Sequence, residues 1–404
     1  MNLTRSLQNR KFASLWMGQA VSRLGDSLYR IALAWWVLEK TGSAAAMGTV
    51  LVFTTVPMLV FMLVGGVMVD RLPRQWVMLA SDLARGGLVG GVALLAALGI
   101  LQMWEILVAS ALFGLVDAFF QPAYSAILPE ITGPEGLQSA NSLTALSGQV
   151  TGIIGPALGA LIVGAGGTSI AFGLDAVSFF LSAASLTPVL HSRLSQETAE
   201  PIKRSMLADL RGGIQAVTDT PWLWITISIA ALANMTGGGV FSTSLPFLVR
   251  DTWHQDVKSL GVIYSAVSVG SVLGALVLGN LNHLHHRGPI AYLLWVLGGA
   301  LLLTYGFYNN LLAGMIVAVI IGACMAGFGL IWINTLQEMV PHELLGRVTS
   351  IDFLGSYTLL PVGYALAGWA TDRFGAPLVF LVGGSITTLL ALSGLLHPAI
   401  RRLD

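Results

Sequence analysis

Three charges stand together inside one apolar run: Arg23, Asp26 and Arg30. Arg23 lies three residues before the acid and Arg30 four after it, so on a helix both can share its face. An ionisable group in hydrocarbon costs about 2.5–3.5 kcal/mol on insertion scales unless it is paired or hydrated. The cluster must therefore point into a protein interior. One reading is a protonatable carboxylate tuned by its guanidinium neighbours, Arg23 and Arg30, beside a substrate path. The other is a fixed ion pair that only places the helix. A second acid, Asp117, has no base within one turn of it. Such an acid suits a proton carrier, because a proton removes the cost of burying its charge. It could equally pair with a base from another segment: Arg23, Arg30, or the arginines after Val69. Asp175, and the pair Asp82 and Arg85 three residues apart, read as structural.

A second group of residues could line a cavity for bulky organic ligands. Trp36, Phe120, Phe241 and Trp332 offer aromatic surface, and Gln149, Asn234 and Asn334 offer polar contacts. Each aromatic alone fits lipid or core packing as well. The run Asn234 to Gly239 holds three consecutive glycines, which favour a local unwinding that would turn carbonyls toward a cavity. His283, His285 and His286 sit in a short polar link without a nearby carboxylate and read as solvated; no metal site is expected. The chain shows no phosphate-binding glycine loop, zinc-protease motif or nucleophile elbow, so neither an enzyme nor a cofactor is expected.

These residues need a membrane scaffold to hold them. The chain has 404 residues, 55% hydrophobic and 10% charged, with mean hydropathy +0.78. Soluble domains carry about 25% charged residues. Net charge is zero, which gives no reason to expect a nucleic-acid partner. The lone cysteine, Cys324, lies in an apolar run and reads as a buried small residue. The polar, basic start of the chain does not read as a cleavable leader.

Twelve apolar segments are long enough to cross a bilayer: 13–37, 44–69, 76–99, 103–127, 140–165, 168–190, 222–247, 259–281, 289–308, 311–336, 349–371 and 376–397. The expected fold is an all-α membrane protein of two pseudo-symmetric six-helix halves, residues 1–190 and 222–404. A cytoplasmic linker, 191–221, would join them and carry an amphipathic helix, with Met206, Leu207, Leu210, Ile214 and Val217 at helical spacing. With the N-terminus inside, 13 Lys and Arg fall in inner segments and 4 in outer ones. Both termini are therefore expected in the cytoplasm, with the protein in the inner or plasma membrane and lipid as its surroundings.

The link after the second segment reads Gly66-Val67-Met68-Val69-Asp70-Arg71-Leu72-Pro73-Arg74-Gln75. It resembles the loop 2–3 signature of the major facilitator superfamily, with Pro73 in a usual glycine position and Gln75 in a usual basic one. Gly66 would admit a close neighbour, and Asp70, Arg71 and Arg74 would bridge cytoplasmic helix ends as a gate; topology through positive charge is the simpler alternative. The fifth segment carries Gly152, Gly155, Pro156 and Gly159. It is similar to the glycine-proline signature of drug/proton antiporters, with Thr151 and Ala160 where glycines are usual. Helix packing alone would also use it. The runs Phe12–Ser22, Leu38–Ser43 and Phe120-Gln121-Pro122-Ala123-Tyr124 resemble members of the macrolide-efflux and enterobactin-exporter type. The resemblance implies twelve helices, a central cavity and export of amphiphilic small molecules coupled to inward proton flow, by a monomer. On this reading Asp26 and Asp117 would exchange the protons. A dedicated exporter or flippase of a metabolite, such as a siderophore or lysophospholipid, is the alternative. A non-transporting sensor would want an output domain, which the short links leave no room for. A second G-x-x-x-D-R-x-G run, Gly368 to Gly375, falls on the outer side and has no counterpart role.

Overall fold

Apolar runs bounded by glycine, proline and capping residues fold as helices throughout. A computed structural model describes residues 5–69, 71–190, 206–279 and 285–404. Asp70, His283 and the linker residues 191–205 lie outside the described residues. Among those described there is no strand.

The first helix, α1 (Arg10–Thr41), starts on Asn9, whose side chain accepts from the amides of Lys11 and Phe12, and stops at Gly42 with φ +63°. There follow α2 (Ala44–Val69), α3 (Arg74–Ala97) and α4 (Met103–Gly166). The fourth and fifth expected segments are thus one helical run, broken only at Gly133 with φ 64° and ψ 174°. That backbone conformation is open essentially to glycine alone, and Pro134 restarts the helix behind it. Next come α5 (Thr168–Ser185), the short α6 (Thr187–Leu190) and α7 (Met206–Thr218). The last of these occupies the expected amphipathic stretch, with Val217 buried and Ile214 exposed.

The segment from Pro221 is a continuous coil of α8 (Pro221–Ala233), a wide π-helical turn (Asn234–Gly238), α9 (Gly239–Phe247) and a second π turn (Leu248–Thr252). Then follow α10 (Val257–Gly279), α11 (Arg287–Thr304) and α12 (Leu311–Met339). The eleventh expected segment is divided into α13 (His342–Tyr357) and α14 (Leu360–Phe374). Pro361 explains the division, since it removes an amide and restricts the residue before it. The chain ends in α15 (Ala376–Leu396) and α16 (Pro398–Arg401). Beside α16, Asp404 accepts a hydrogen bond from the His286 amide at 2.5 Å, which holds its carboxyl below the usual carboxylate range.

Nine stretches among the described residues are long and apolar enough to cross a membrane. One of them is α4, whose 64 residues suffice for two crossings. Beyond these nine, α1 has the length but carries Arg23, Asp26 and Arg30 mid-run, and α13 with α14 make a broken span. The inventory is consistent with twelve crossings.

The helices group into two units. Unit 1 holds Met1–Gly42, Thr49–Ala199 and Asp256–Ser265; unit 2 holds Ser43–Gly48, Glu200–Gln255 and Ala266–Asp404. In unit 1, α1 packs on α4 and α5, and α3 packs on the same two helices. Phe12, Leu15, Met78, Phe120, Ile127 and Leu186 belong to one buried cluster of this unit. In unit 2, α11 packs on α12 and α15, α13 on α8, and α14 on α9. Trp222, Tyr292, Leu336, Val348 and Ile400 form its main buried cluster. Trp222 is part of that cluster, and Trp253 is buried as well.

Candidate functional site

A chain of polar groups crosses unit 1 from α1 to α4. Gln19 Nε2 donates to Ser182 Oγ at 2.8 Å, and Ser182 Oγ donates to Asp82 Oδ2 at 2.7 Å. Arg85 Nη2 meets Asp82 Oδ1 at 2.6 Å, and Nη1 meets Asp117 Oδ1 at 3.5 Å. Three rings surround the guanidinium: Phe120 at 4.0 Å, Phe179 at 4.7 Å and Phe113 at 5.9 Å. Asp82 and Arg85 are sealed, with side-chain exposures of 0% and 3%, whereas Asp117 is 24% exposed. Arg85 Nε has no partner. A buried arginine thus serves two acids, one closed off and one reachable. A proton arriving at Asp117 would cancel its charge and leave Arg85 to Asp82 alone.

This arrangement settles who faces Asp117. Its base is Arg85 of α3, not Arg23, Arg30 or the loop arginines. Arg85 is 32 residues away in sequence, and only the packing of α3 on α4 joins the two. The expected pairing around Asp26 is also absent: among the described residues no base lies within 4.0 Å of its carboxylate. Arg23 donates to the Thr144 carbonyl at 3.0 Å and lies over the Tyr124 ring. Arg30 turns to the Asp26 backbone carbonyl at 3.3 Å and to Ser27 Oγ at 3.2 Å. Hydrogen bonds to the neighbouring helix and to their own turn outcompete a pairing along the helix face. Asp175, fully buried, fills the notch left by Gly25 beside Asp26. Its Oδ1 accepts from Ser178 at 3.3 Å and its Oδ2 has no partner.

The proposed cavity residues are spread over both units. Trp36 and Phe120 are buried in unit 1, and Phe120 serves as a floor for Arg85. Gln149 is exposed. In unit 2, α13 gathers two of the others: Trp332 Nε1 donates to Asp352 Oδ2 at 3.0 Å, and Asn234 Nδ2 donates to the Ser356 carbonyl at 2.9 Å. Asp352 also accepts from Ser356 Oγ at 3.5 Å. Phe241 packs edge-on against Tyr305, and Asn334 is exposed. The glycine run after Asn234 does not unwind. It takes the wide turn described above, and the Met235 and Thr236 carbonyls within that turn lie against Gly363 and Gly383. A side chain at Gly383 would strike the Thr236 carbonyl at 2.5 Å, and one at Gly363 would strike Met235 Cα at 2.7 Å. These glycines serve close helix contact.

Of the two signature motifs, the loop is described apart from Asp70 and the glycine-proline run is described throughout. In the loop, Arg71 is exposed and Arg74 donates to the Ala126 carbonyl at 3.1 Å and pairs with Glu130. Gly66 meets nothing within 4 Å; its neighbour Gly65 is the one pressed on α4, against the Ala118 carbonyl. In the glycine-proline run, side chains at Gly155 and Gly159 would strike Ser27 Cβ at 2.5 Å and Leu28 Cα at 3.0 Å, both on α1. The Pro156 carbonyl lies against Gly261 at the start of α10. Gly152 is half-buried on the same helix.

The sequence profile of the family described as "Transmembrane secretion effector" within the major facilitator superfamily matches residues 4–403. The chain belongs to that family. It is 27% identical over 388 residues to the multidrug efflux pump Tap of Mycolicibacterium fortuitum, covering 94% of each. It is 28% identical over 375 residues to the enterobactin exporter EntS of Escherichia coli O1:K1, covering 91% of this chain and 87% of that one. The fold matches the nucleoside transporter NupG, with TM-score 0.74 and 12% identity over 98% of each chain. It also matches a bacterial homologue of the iron transporter ferroportin, with TM-score 0.72 and 14% identity over 96% of this chain and 99% of that one. The chain is thus a multi-pass membrane transporter of the secretion type, and not an enzyme.

Two parts of this transporter escaped the sequence reading. Asp352 is one: an acid inside the eleventh segment with Ser356 one turn on, a signal as strong as the one that exposed Asp117. The other is Arg85 as a hub, because its spacing to Asp82 already accounts for it locally.

Proposed function

We propose that the transporter exports amphiphilic small molecules, drug-like or macrolide-like, by proton antiport with alternating access. Its termini would be cytoplasmic and its working form a monomer. The observation that carries the reading is Arg85 held between Asp82 and Asp117, with Asp117 the acid open to protons. Protonation of Asp117 releases one arm of Arg85, loosening the tie between α3 and α4; deprotonation restores it. Asp26, without an ion-pair partner beside it, is the second candidate for the exchanged proton. The similarity to Tap supports a drug-like substrate. The similarity to EntS supports a second reading, a dedicated exporter of one metabolite such as a siderophore or lysophospholipid, for which Arg23 and Arg30 offer bases near Asp26. In that case one ligand of the panel below would dominate.

The test uses proteoliposomes with an imposed pH gradient. Internal pH is followed on adding ethidium, erythromycin or a lysophospholipid, for the wild type and for Asp117→Asn and Asp26→Asn. Substrate-dependent proton movement should fall at least tenfold in one variant. Substrate movement without proton flux would overturn the antiport reading and leave both acids structural.

A further inference from the structure

A groove of about 390 Å³ runs along unit 2, where α14 and α15 meet the wide turn and α9. Its floor is buried: Val240, Gly363, Ala367, Val379 and Gly383. Its walls are exposed and apolar: Leu366 and Phe374 of α14, and Leu378, Val382 and Ile386 of α15. Thr236 alone of the lining residues has a polar side chain, and its hydroxyl already bonds the Leu232 carbonyl and Thr387 Oγ1, each at 2.9 Å. Charge stands at one end. Arg373 follows Ala370 by three residues and Leu366 by seven, so it shares their face of α14 and stands where the groove ends at Phe374. Arg373 is exposed, and its side chain makes no hydrogen bond or ion pair among the described residues. Its neighbour Asp372 is engaged as a cap on α2. It accepts from Ser43 Oγ at 2.5 Å, from the Ala44 amide at 2.6 Å and from the Ala45 amide at 3.1 Å, while Ser43 Oγ accepts from the Ala46 amide at 3.2 Å. We propose that the groove binds one acyl chain of an anionic phospholipid, with the phosphate held by Arg373.

The dimensions select a hydrocarbon chain. Gly363 and Phe374 lie eleven residues apart on α14, about 16 Å at 1.5 Å per residue. That is close to half of a hydrocarbon core about 30 Å thick, the depth of one leaflet. On the topology expected above it is the outer leaflet. A helix about 10 Å across would take on the order of 1,200 Å³ over that length, about three times the room present. Neither a partner's helix nor one from a second copy of this chain can lie within it. The charged end has the make-up of a membrane surface. Trp369 and Phe374, 58% and 54% exposed, pack edge-on at 5.8 Å, and such rings gather at headgroup level. A guanidinium beside them can hold a phosphate by two parallel hydrogen bonds. The charge of Asp372 is offset by the positive end of α2. Arg373 is thus left to be neutralised from outside, which favours a headgroup with net negative charge over a zwitterionic one.

The experiment places the whole protein in phosphatidylcholine vesicles doped with a phosphatidylglycerol that carries a photoactivatable diazirine on one acyl chain. Mass spectrometry of the cross-linked peptides locates the label. Residues 366–386 should be labelled at least tenfold more than the exposed Leu293 and Leu297 of α11, an apolar surface outside the groove. Ala370→Trp fills the groove and should abolish that excess, with labelling of α11 unchanged. If labelling of α11 changes too, the variant has lost its fold and the exposed position decides. There, Arg373→Gln should lower labelling by the phosphatidylglycerol probe about fivefold, the weight of one basic residue at a membrane surface. The same variant should leave labelling by a phosphatidylcholine probe with the same diazirine chain unchanged. Labelling of 366–386 no stronger than that of α11 would mean bulk lipid contact only and overturn the site, as would labelling that survives Ala370→Trp. Equal labelling of the wild type by both probes, or no effect of Arg373→Gln, would overturn the role of the headgroup. No step of the test depends on a transported substrate.

Discussion

Arg85 is a buried charge that ties α3 to α4 in unit 1. It is 3% exposed, wedged among three phenylalanines, and neutralised by Asp82 at 2.6 Å. Removing one member of a buried ion pair leaves the other charge uncompensated, at a cost of about 3–5 kcal/mol. Arg85→Gln should therefore melt well below the wild type in detergent. The double variant Asp82→Asn/Arg85→Gln should recover much of that loss, because both charges go together. A double variant no more stable than Arg85→Gln would mean that the triad contributes through packing on the rings alone. At this scale the sequence was half legible. Acids inside apolar runs marked Asp26 and Asp117 without help, since burying a charge is costly wherever it happens. Their partners were not legible, because Arg85 meets Asp117 only through the packing of two helices, and Arg23 prefers the Thr144 carbonyl to the acid beside it.

Among the helices, the contrast between Gly65 and Gly66 isolates what a membrane glycine is for. The two are adjacent in α2. A methyl group on Gly65 would run into the Ala118 carbonyl of α4, a backbone atom that cannot rotate away, whereas one on Gly66 meets open space. Gly65→Ala should destabilise by about 1–3 kcal/mol, as overpacking does. Gly66→Ala should be neutral or slightly stabilising, by up to about 1 kcal/mol, since alanine is the better helix former. Thermal melts of the two variants side by side check this, and equal effects would contradict the packing. The motif resemblance pointed to the neighbour of the crowded residue because a sequence does not carry the rotation of a helix about its axis. Element existence was legible from hydropathy. Continuity was not. Whether a glycine or a proline ends a helix depends on whether neighbours satisfy the freed backbone, so α4 runs on to Gly133 and the eleventh segment divides before Pro361.

For the molecule as a whole, each of the two units carries a fastening of the same kind. Arg74, the first residue of α3, pairs with Glu130 in α4, and Arg287, the first residue of α11, pairs with Glu338 near the end of α12 at 2.5 Å. Both pairs are partly exposed, so each should contribute no more than about 1 kcal/mol. Arg74→Glu should impair folding more than Arg74→Gln, and adding Glu130→Arg should restore it. Failure of the exchange to restore would show that the Ala126 carbonyl, not Glu130, is the partner that counts. The asymmetry of basic residues sets a further expectation: a reporter active only in the cytoplasm should work when fused after Asp404.

The cap on α2 also has a history in time. Ala44 leaves the ribosome 328 residues before Asp372 does. At about 5–20 residues per second, that is a wait of tens of seconds. Until then the head of the second helix has only Ser43 to satisfy it, and it must sit at the membrane surface borrowing water. The nascent protein thus passes through a stage in which its first half is inserted but unfinished at one corner. That corner can close only once α14 has been made, with α15 still to come.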